Sequence, residues 1–384
     1  MGQSPPSETY NDIGDGLAFL QGKSEFTHTH PAPTKWTTKP LRRAPTGSTL
    51  VSVRAPVGDS NLADQEYAIG RGVAALVPSA ELDHYFLFLW VTHMKPELEA
   101  RATGSTFKAI NKAVLAEQSI PVPPLPEQRV IAHVLRTVQS AREATEQVID
   151  AARELKQSLM RHLFTYGPEK HFAVEPKDWP LVPLRGAVHD ERPICYGILK
   201  PGPHIDGGVP YVKVRDYPDG CIRKAALSRT TEGIARQYQR SQLRAGDILV
   251  SIRGTTGRVA VVPGDLEGAN ITQDTARVSP AADVDRDFLA YFLQSDEAQR
   301  FIRSWTKGAA VRGINLRELR ELRVPVPPLE EQQAIAARLR CVDWKARVEK
   351  QRRSALLTLF NTLLHDLMTA RIRVPVDESM KVAV

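Results

Sequence analysis

Few residues of this 384-residue chain are spaced for chemistry. Gly22-Lys23-Ser24 resembles the end of a phosphate-binding loop, but Leu17 stands where that motif needs its first glycine. His28 and His30 could contribute to a metal site, yet no carboxylate or cysteine accompanies them at ligand spacing. We interpret both segments as surface loops and predict no metal site.

The carboxylates give no better candidate for catalysis. Asp283, Asp285 and Asp287 precede a predicted helix, where negative charge stabilises the helix N-terminus. The chain has no GxGxxG for a dinucleotide or methyl donor, no HExxH and no GxSxG. The sequence therefore predicts a protein that binds its target and is not an enzyme on its own.

Basic side chains favour a polyanion as that target. The chain has 51 Lys and Arg against 44 Asp and Glu, a net charge of +7. Residues 1–166 carry 17 basic and 17 acidic side chains, whereas residues 167–384 carry 34 and 27. The excess raises the expectation of a nucleic-acid partner, although basic proteins with other partners also exist.

An internal duplication organises the chain. PVPPLPEQ at 121–128 recurs as PVPPLEEQ at 325–332, and Ile-Ala follows each copy at the same distance. Upstream, residues 50–54 match 249–253 and residues 69–76 can be laid on 271–278. Because one order of motifs repeats at about 200 residues, we predict two copies of a domain and not a short-repeat array.

The sequence pattern of each copy predicts a β-rich region followed by a long helix. Residues 50–53 and 248–252 read as strands, and the prolines of each Pro-rich segment fit the start of a helix. The first helix has a stripe with alternating spacings of three and four, typical of a coiled-coil seam. Its positions are Ile131, Val134, Val138, Ala141, Thr145, Val148, Ala152, Leu155 and Leu159.

The second helix has a comparable seam that polar residues interrupt. Its positions are Ile335, Leu339, Val342, Ala346, Glu349, Arg353, Leu356, Phe360, Leu363 and Leu367. Glu349 and Arg353 fit either a device that fixes the register of the helices or a stretch that faces solvent. A helix of about 40 residues, roughly 60 Å long, needs a partner, so we expect the two helices to pack on each other.

The doubled PPLxEQ segment, each copy followed by a long helix, resembles the DNA-specificity subunit of Type I restriction-modification systems. The resemblance covers nearly the whole chain and includes Gly246–Ser251 and Gly308–Asn315. It implies an α+β fold in which two pseudo-repeated β-rich target-recognition domains are separated by two long antiparallel coiled-coil helices. The expected boundaries are 1–123 and 181–327 for the recognition domains, 124–166 and 328–370 for the helices, 167–180 for a linker and 371–384 for a tail.

The resemblance also implies a function and partners. Each recognition domain would read one half of a bipartite double-stranded DNA target, while the helices set the spacer and dock two modification (methyltransferase) subunits. Restriction subunits would supply ATP-dependent translocation and cleavage. S-adenosylmethionine, ATP and Mg would then bind to partner subunits, and this chain would hold no cofactor.

Candidate DNA contacts lie in predicted loops, because Arg pairs with guanine, Gln with adenine, and Lys and Arg with phosphates. The first copy supplies Gln21, Lys35, Arg42, Arg43, Arg54 and Arg71, and the second supplies Lys213, Arg215, Arg253, Arg258, Gln273 and Arg312. For each of them a solvated surface charge is the alternative. Arg54 and Arg253 recur at matching positions after a strand, which also fits a shared structural role.

The two copies differ at their start. The second has a lead-in from Trp179 to Ala187, whereas the first begins its loops almost at Met1. We therefore expect 15 to 20 residues, including an opening strand, to be absent from the first recognition domain, through a late start assignment or a truncated gene.

Two other functions remain open. A two-domain scaffold that binds peptides or carbohydrates would also have duplication and heptads, and a stand-alone nuclease would need catalytic residues that we do not find. Cys195, Cys221 and Cys341 form no CxxC pair, so we expect reduced structural thiols. With no signal pattern and no apolar run long enough for a bilayer, we expect a cytoplasmic protein without membrane contact.

Overall fold

A computed structural model describes residues 1–104, 108–168, 175–308 and 312–375. The chain divides into two compact units. Unit 1 comprises Met1–Glu146 and Lys350–Val384, and unit 2 comprises Gln147–Glu349. Each of the two long helices therefore contributes one half to each unit.

Unit 1 contains two sheets and a packing helix. Its five-stranded sheet has the order β1-β3-β2-β7-β4, and its three-stranded sheet the order β6-β5-β8. The strands are β1 (Tyr10–Asn11), β2 (Leu17–Leu20), β3 (Lys35–Thr37), β4 (Arg43–Ala44), β5 (Thr49–Ser52), β6 (Ser60–Leu62), β7 (Tyr67–Ile69) and β8 (Val73–Leu76). Helices α1 (His84–Ala100) and α2 (Lys112–Ala116) follow, and Asp83 caps α1 by accepting hydrogen bonds from the backbone N–H groups of Tyr85 and Phe86.

Unit 2 repeats the central strand pairs of this plan, differs in its edge strands and has an additional two-stranded sheet. Its sheets have the orders β10-β16-β13-β14, β12-β11-β15 and β17-β9. The strands are β9 (Leu181–Pro183), β10 (Cys195–Tyr196), β11 (Val209–Val212), β12 (Ser228–Thr230), β13 (Ile248–Ser251), β14 (Val259–Val261), β15 (Asn270–Ile271), β16 (Thr275–Val278) and β17 (Arg323–Pro325). The shorter helices are α4 (Glu232–Gln237), α5 (Arg286–Gln294), α6 (Asp296–Trp305) and α7 (Leu316–Leu319).

The central strand of each unit is buried on both faces. In β13, Ile248 and Val250 pack into one apolar cluster with the helix α5, while Leu249 packs into another with β11 and β15. In unit 1, Val51 of β5 faces the cluster that contains α1, and Leu50 faces the cluster of β2 and β7. A strand with two buried faces carries apolar side chains at successive positions, as Leu50 and Val51 do in β5 and residues 248–250 do in β13.

The strand pairings repeat as the sequence predicts. The parallel pair β2–β7 joins Leu20 to Ile69, and the parallel pair β11–β15 joins Val212 to Ile271. The antiparallel pairs β5–β8 and β13–β16 also correspond. The predicted α+β fold with two β-rich domains and two long antiparallel helices is thus confirmed.

The long helices are α3 (Leu125–Tyr166) and α8 (Leu329–Met368). In unit 1 the start of α3 meets the end of α8: Arg142 lies 5.8 Å from the ring centre of Phe360, and Ile131 and Leu135 share an apolar cluster with Leu364. In unit 2 the end of α3 meets the start of α8, because Met160 and Leu163 cluster with Ile335 and Leu339. Both sets of contacts require an antiparallel arrangement.

The predicted seam of α3 is partly wrong. Ile131 is buried and Val134, Val138 and Leu159 are half-buried, but Val148 is 39% and Leu155 56% exposed. One column of the predicted seam is buried or half-buried along its length: Ile131, Val138, Thr145, Ala152 and Leu159. The other fully buried positions lie in the column beside it: Leu135, Ile149 and Leu163. Helix α3 thus buries two neighbouring columns, one from the predicted seam and one beside it, because it packs against both its domain and α8.

The seam of α8 agrees with the prediction. Ile335, Leu339 and Phe360 are buried, and Val342, Leu356 and Leu363 are half-buried. The two polar positions are engaged: Arg353 donates two hydrogen bonds to Glu146 of α3, at 2.6 and 2.8 Å, and the buried Glu349 accepts one from Lys345. The interpretation of a stretch that faces solvent is therefore wrong for Glu349.

The glutamine of each PPLxEQ segment ties a long helix to the preceding domain. Gln128 is fully buried, accepts a hydrogen bond from the backbone N–H of Asp83 and donates to the carbonyls of Glu81 and Pro123. Gln332 makes the same three bonds in unit 2, with Asp285, Asp283 and Pro327. This side chain fixes the N-terminus of α1 or α5 against the Pro-rich junction, which accounts for its place in the repeated motif.

The additional two-stranded sheet of unit 2 forms because the lead-in supplies strand β9. Strand β9 pairs with β17, and Leu184, Ala187, Val188 and Ile194 join the apolar cluster of unit 2. In unit 1, the backbone N–H of Gln3 donates to the carbonyl of Ile69, as that of Ile198 donates to Ile271. The described part of unit 1 thus has no counterpart of residues 181–195.

The cysteines and the apolar content of the helices were also considered in the sequence. Cys195, Cys221 and Cys341 are unpaired, with Cys195 buried and the other two exposed. Among the described residues, no helix combines the length and the apolar composition that a membrane crossing requires.

Candidate nucleic-acid interface

The loops that follow the parallel strand pair carry the candidate side chains of unit 2. Lys213 follows β11, and Gln273 follows β15 two residues after its end. The backbone N–H groups of Ile252 and Arg253 both donate to the carbonyl of Asp274, which places the end of β13 beside Gln273. The Nη1 of Arg253 donates to the Oε1 of Gln273 at 3.2 Å, so two predicted site residues are in direct contact.

Three other candidates of unit 2 border the same loops. The backbone N–H of Gly254 donates to the carbonyl of Arg312, so the exposed Arg312 lies beside Arg253. Arg258 donates to the carbonyl of Val214 at 3.1 Å, which joins its loop to Lys213 and the exposed Arg215. The predicted residues of unit 2 therefore lie on adjacent loops.

Lys213 is the most constrained of these cations. Its Nζ donates to the Oγ of Ser228 at 2.8 Å and lies 5.0 Å from the ring centre of Tyr211. A fixed ammonium group is suited to hold a phosphate at a defined place.

Unit 1 brings three of its candidates to the same place in the fold. Gln21 follows β2, Arg71 follows β7 by two residues, and Arg54 follows β5 by two. The backbone N–H of Gly70 donates to the carbonyl of Leu20, and that of Val53 to the carbonyl of Gly72. All three candidate side chains are exposed.

Three candidates of unit 1 lie on or beside neighbouring strands. Lys35 opposes Phe19 in the β2–β3 pair and is exposed. The carbonyl of Arg42 accepts a hydrogen bond from the backbone N–H of Ile69, next to the loop of Arg71. Arg43 forms an ion pair with Glu66 at 3.1 Å, so part of its charge is already used within the protein.

Backbone bonds make several of these positions equivalent between units. Arg54 bridges to Ala109 as Arg253 bridges to Gly313, and Ile110 and Ile314 donate to Val53 and Ile252. The resulting pairs of equivalent positions are Arg54 with Arg253, Arg71 with Gln273, and Gln21 with Lys213.

Sequence reasoning missed one residue of the candidate interface. The backbone N–H of Ala55 donates to the carbonyl of Lys108, as that of Gly254 does to Arg312. The exposed Lys108 is therefore the counterpart of Arg312. The offset of 204 residues that relates the two Pro-rich segments also relates these positions and could have identified Lys108.

The loop after β5 differs in charge from its counterpart. Asp59 stands where unit 2 has Arg258 and pairs with Lys23 at 2.6 Å and Lys95 at 2.7 Å. Burial opposes the ionisation of Asp59, but these two ammonium groups outweigh it and lower the pKa of the carboxyl. Lys23, the lysine of the apparent phosphate-loop motif, is thus used in an ion pair.

The other residues considered for catalysis have structural roles. His30 Nδ1 lies 3.0 Å from the carbonyl of Leu62, and Asp285 caps α5 by accepting from the backbone N–H of Phe288. Asp287 pairs with Arg286 and Arg340, each at 2.8 Å. Within the described ranges, no three His, Cys, Asp or Glu side chains come together as metal ligands.

Each unit thus carries an equivalent set of largely basic loops, an arrangement typical of a binding protein with two related sites. The family model described as the Type I restriction modification DNA specificity domain matches residues 38–153 and 204–358. The chain belongs to this family.

The curated relatives have the same kind of name. The chain is 42% identical over 166 residues to the putative type I restriction enzyme MjaX specificity subunit of Methanocaldococcus jannaschii, covering 43% of this chain and 39% of that one. It is 30% identical over 296 residues to the type I restriction enzyme EcoBI specificity subunit of Escherichia coli, covering 72% of this chain and 62% of that one. The aligned parts thus span less than two thirds of either relative.

Solved structures share the fold. The S subunit of a Type-I restriction-modification system from M. genitalium superposes with a TM-score of 0.60 and 18% identity, covering 96% of this chain and 92% of that chain. A structure described in terms of complex assembly and conformational transition of the type I R-M system gives 0.59 and 19% identity, covering 94% and 91%.

Proposed function

We propose that this chain is the specificity subunit of a Type I restriction-modification complex and binds double-stranded DNA sequence-specifically. Each unit reads one half of a bipartite target, and the long helices set the spacer between the halves. The observation that carries the proposal is that each unit repeats the same set of loops. Arg54 and Arg253 follow β5 and β13, and the backbone after these strands bonds to the loops that follow β7 and β15 of the parallel pairs.

The chemistry of these loops suits the two tasks of DNA recognition. Exposed Arg and Gln side chains can pair with base edges, whereas Lys213 and the other cations neutralise phosphates. Phosphate contacts give affinity that falls steeply with salt, and base contacts give sequence preference.

We propose that catalysis belongs to partner subunits. Two modification subunits would carry S-adenosylmethionine and methylate adenine, and restriction subunits would use ATP and Mg for translocation and cleavage in the cytoplasm. Large apolar side chains exposed on the long helices support docking of proteins there: Val148, Leu155, Trp344, Leu357 and Leu359.

Methylation mapping tests this function. Host DNA is sequenced for modified bases with this chain and its neighbouring modification gene present, and again after deletion of this chain. We expect an adenine-methylated split motif with a fixed spacer that disappears on deletion. The absence of any such motif from cells that contain the folded complex would contradict the proposal.

Binding measurements separate the alternatives. A specific duplex should bind with an affinity that falls linearly in a plot of log K against log salt, since counterions are released from DNA. A scaffold for peptides or carbohydrates would give no such slope with DNA, and a stand-alone nuclease would cleave in magnesium without partners.

A further inference from the structure

We propose that Arg54 and Arg253 each read a guanine at corresponding places in the two half-sites, and that Arg71 and Gln273 make the halves differ, reading guanine and adenine respectively. This inference rests on the proposed DNA-binding function. It names the side chains that determine which DNA sequence is recognised, and the base that each of them selects.

The first step is that both pairs occupy equivalent positions in the fold. Arg54 and Arg253 lie two residues after β5 and β13, each in a bridge with the segment that precedes the Pro-rich junction. Arg71 and Gln273 lie two residues after β7 and β15, the strands that pair in parallel with β2 and β11. Two units with this correspondence present each pair to the same place on their half-sites.

The second step is the hydrogen-bonding chemistry of each pair. A guanidinium group carries only donors, so it matches the O6 and N7 acceptors of guanine. Arg54 and Arg253 have this chemistry in both units, whereas at the second position only Arg71 has it. Gln273 has one acceptor and two donors, the pattern that matches N6 and N7 of adenine.

The third step is the orientation of Gln273. Its Oε1 accepts one hydrogen bond from Arg253 Nη1 at 3.2 Å, which fixes the direction of the amide. A carbonyl oxygen has two lone pairs, so the same Oε1 can accept a second bond from adenine N6–H while Nε2 donates to N7. The contact thus holds the arginine and the glutamine together as one reading pair.

Exchange of the second position tests the inference. Gln273→Arg and Arg71→Gln are each expressed with the modification subunits, and the methylated motifs are mapped. We expect Gln273→Arg to change one base pair of one half-site from A·T to G·C and to leave the other half unchanged. Arg71→Gln should change one base pair of the other half from G·C to A·T, each with a shift in preference of roughly 10- to 100-fold.

The controls separate folding from reading. Arg236→Gln replaces an exposed arginine of α4 that pairs with Glu232, and it should leave both half-sites unchanged. Gln273→Ala removes the amide and should abolish the adenine preference, while the half-site of unit 1 reports that the protein is folded.

The outcomes for the two proposals are distinct. A wild-type complex that recognises no split motif would contradict the proposed function itself. A wild-type motif that stays unchanged in Gln273→Arg and Arg71→Gln would overturn only the base assignment. A relaxed base pair that gains no new preference would overturn the exchange of guanine for adenine.

Discussion

Among single residues, the buried glutamines of the two Pro-rich segments hold each domain to its long helix through hydrogen bonds. Gln332 is fully buried, and its three hydrogen bonds bring together the carbonyl of Asp283, the N–H of Asp285 and the carbonyl of Pro327. Each of these backbone groups would lose a partner if the amide were removed. Their desolvation is costly because the site is closed to water.

We expect Gln332→Ala to lower the free energy of unfolding of unit 2 by about 2 kcal/mol, since buried backbone groups lose their partners. Hydrogen exchange of the amides of α5 measures this change locally. Gln333→Ala, at the exposed neighbouring position, is the matched control and should have little effect. Equal protection of α5 in both variants would contradict the role of Gln332.

Glu127 gives unit 1 a predictable dependence on pH. Two hydrogen bonds from Arg373, each 2.6 Å long, lower the pKa of the Glu127 carboxyl against the opposing effect of burial. A lowered folded-state pKa stabilises the protein above the ordinary value of 4.5, and this stabilisation is lost as the pH falls through the folded-state value.

The free energy of unfolding of unit 1 should therefore be higher in the wild type than in Glu127→Gln at pH 6. The difference should shrink below pH 4.5 as the carboxylate is protonated. Urea unfolding at a series of pH values measures it, with the exposed Glu8→Gln as control. A difference that does not change with pH would show that the ion pair does not contribute.

The sequence predicts the positions of the site residues better than their contacts. The offset between the matching strands relates Arg54 to Arg253, and the different offset between the Pro-rich segments relates Lys108 to Arg312. The hydrogen bond between Arg253 and Gln273 depends on the antiparallel pairing of β13 with β16, in which Ser251 opposes Thr275, and no local pattern specifies it. The glutamine of the PPLxEQ segment was likewise visible as a repeat, but two of its three partners, the backbone groups of Asp283 and Asp285, come from a distant turn.

At the scale of elements, the seam of α3 shows how far periodicity can be followed. The spacing correctly predicts one long amphipathic helix but places Val148 and Leu155 on its buried face, where they do not lie. A helix that packs on both a domain and a second helix buries more than one column of side chains. The sequence of α3 alone does not reveal which column each neighbour covers.

Two leucines of the same helix and the same unit test this assignment. Leu163→Ala should lower the free energy of unfolding of unit 2 by about 3 kcal/mol, because Leu163 is fully buried among Met160 and Ile335. Leu155→Ala should change it by less than about 0.5 kcal/mol, since Leu155 is 56% exposed. Similar losses in thermal or urea unfolding would contradict the observed burial.

The ion pair between the helices tests the register interpretation. Arg353→Glu places two carboxylates together and should destabilise unit 1 by about 1 kcal/mol, a modest value because both side chains are partly exposed. The double variant Glu146→Arg, Arg353→Glu should recover most of that loss. A double-mutant cycle from urea unfolding measures the coupling, and a coupling of zero would favour a purely incidental contact.

In the molecule as a whole, the two units differ in the exposure of apolar side chains in the region where the lead-in of unit 2 packs. The counterparts of Ser279 and Val326 in unit 1 are Val77 and Val122, which are 63% and 52% exposed. In unit 2 this region is covered through the pairing of β9 with β17. An apolar surface is therefore open in the described part of unit 1.

A copy of residues 179–196 placed directly before Gly2 should cover this surface. We expect the free energy of unfolding of unit 1 to rise by about 2 kcal/mol, because Val77 and Val122 would leave water. Hydrogen exchange in β8 and urea unfolding measure the gain. The same fusion with aspartate in place of its copies of Leu184 and Val188 is the control, and equal behaviour of both fusions would contradict packing of the lead-in.

The division of the long helices between the units also sets an order of events on the ribosome. Unit 2 is one continuous stretch, residues 147–349, so all of its parts exist before synthesis ends. The core of unit 1 includes Phe360, Leu364 and Leu367 of α8, more than 200 residues after the strands they cover. The domain that is synthesised first is thus completed last, and its nascent chain must stay unaggregated while the second domain folds ahead of it.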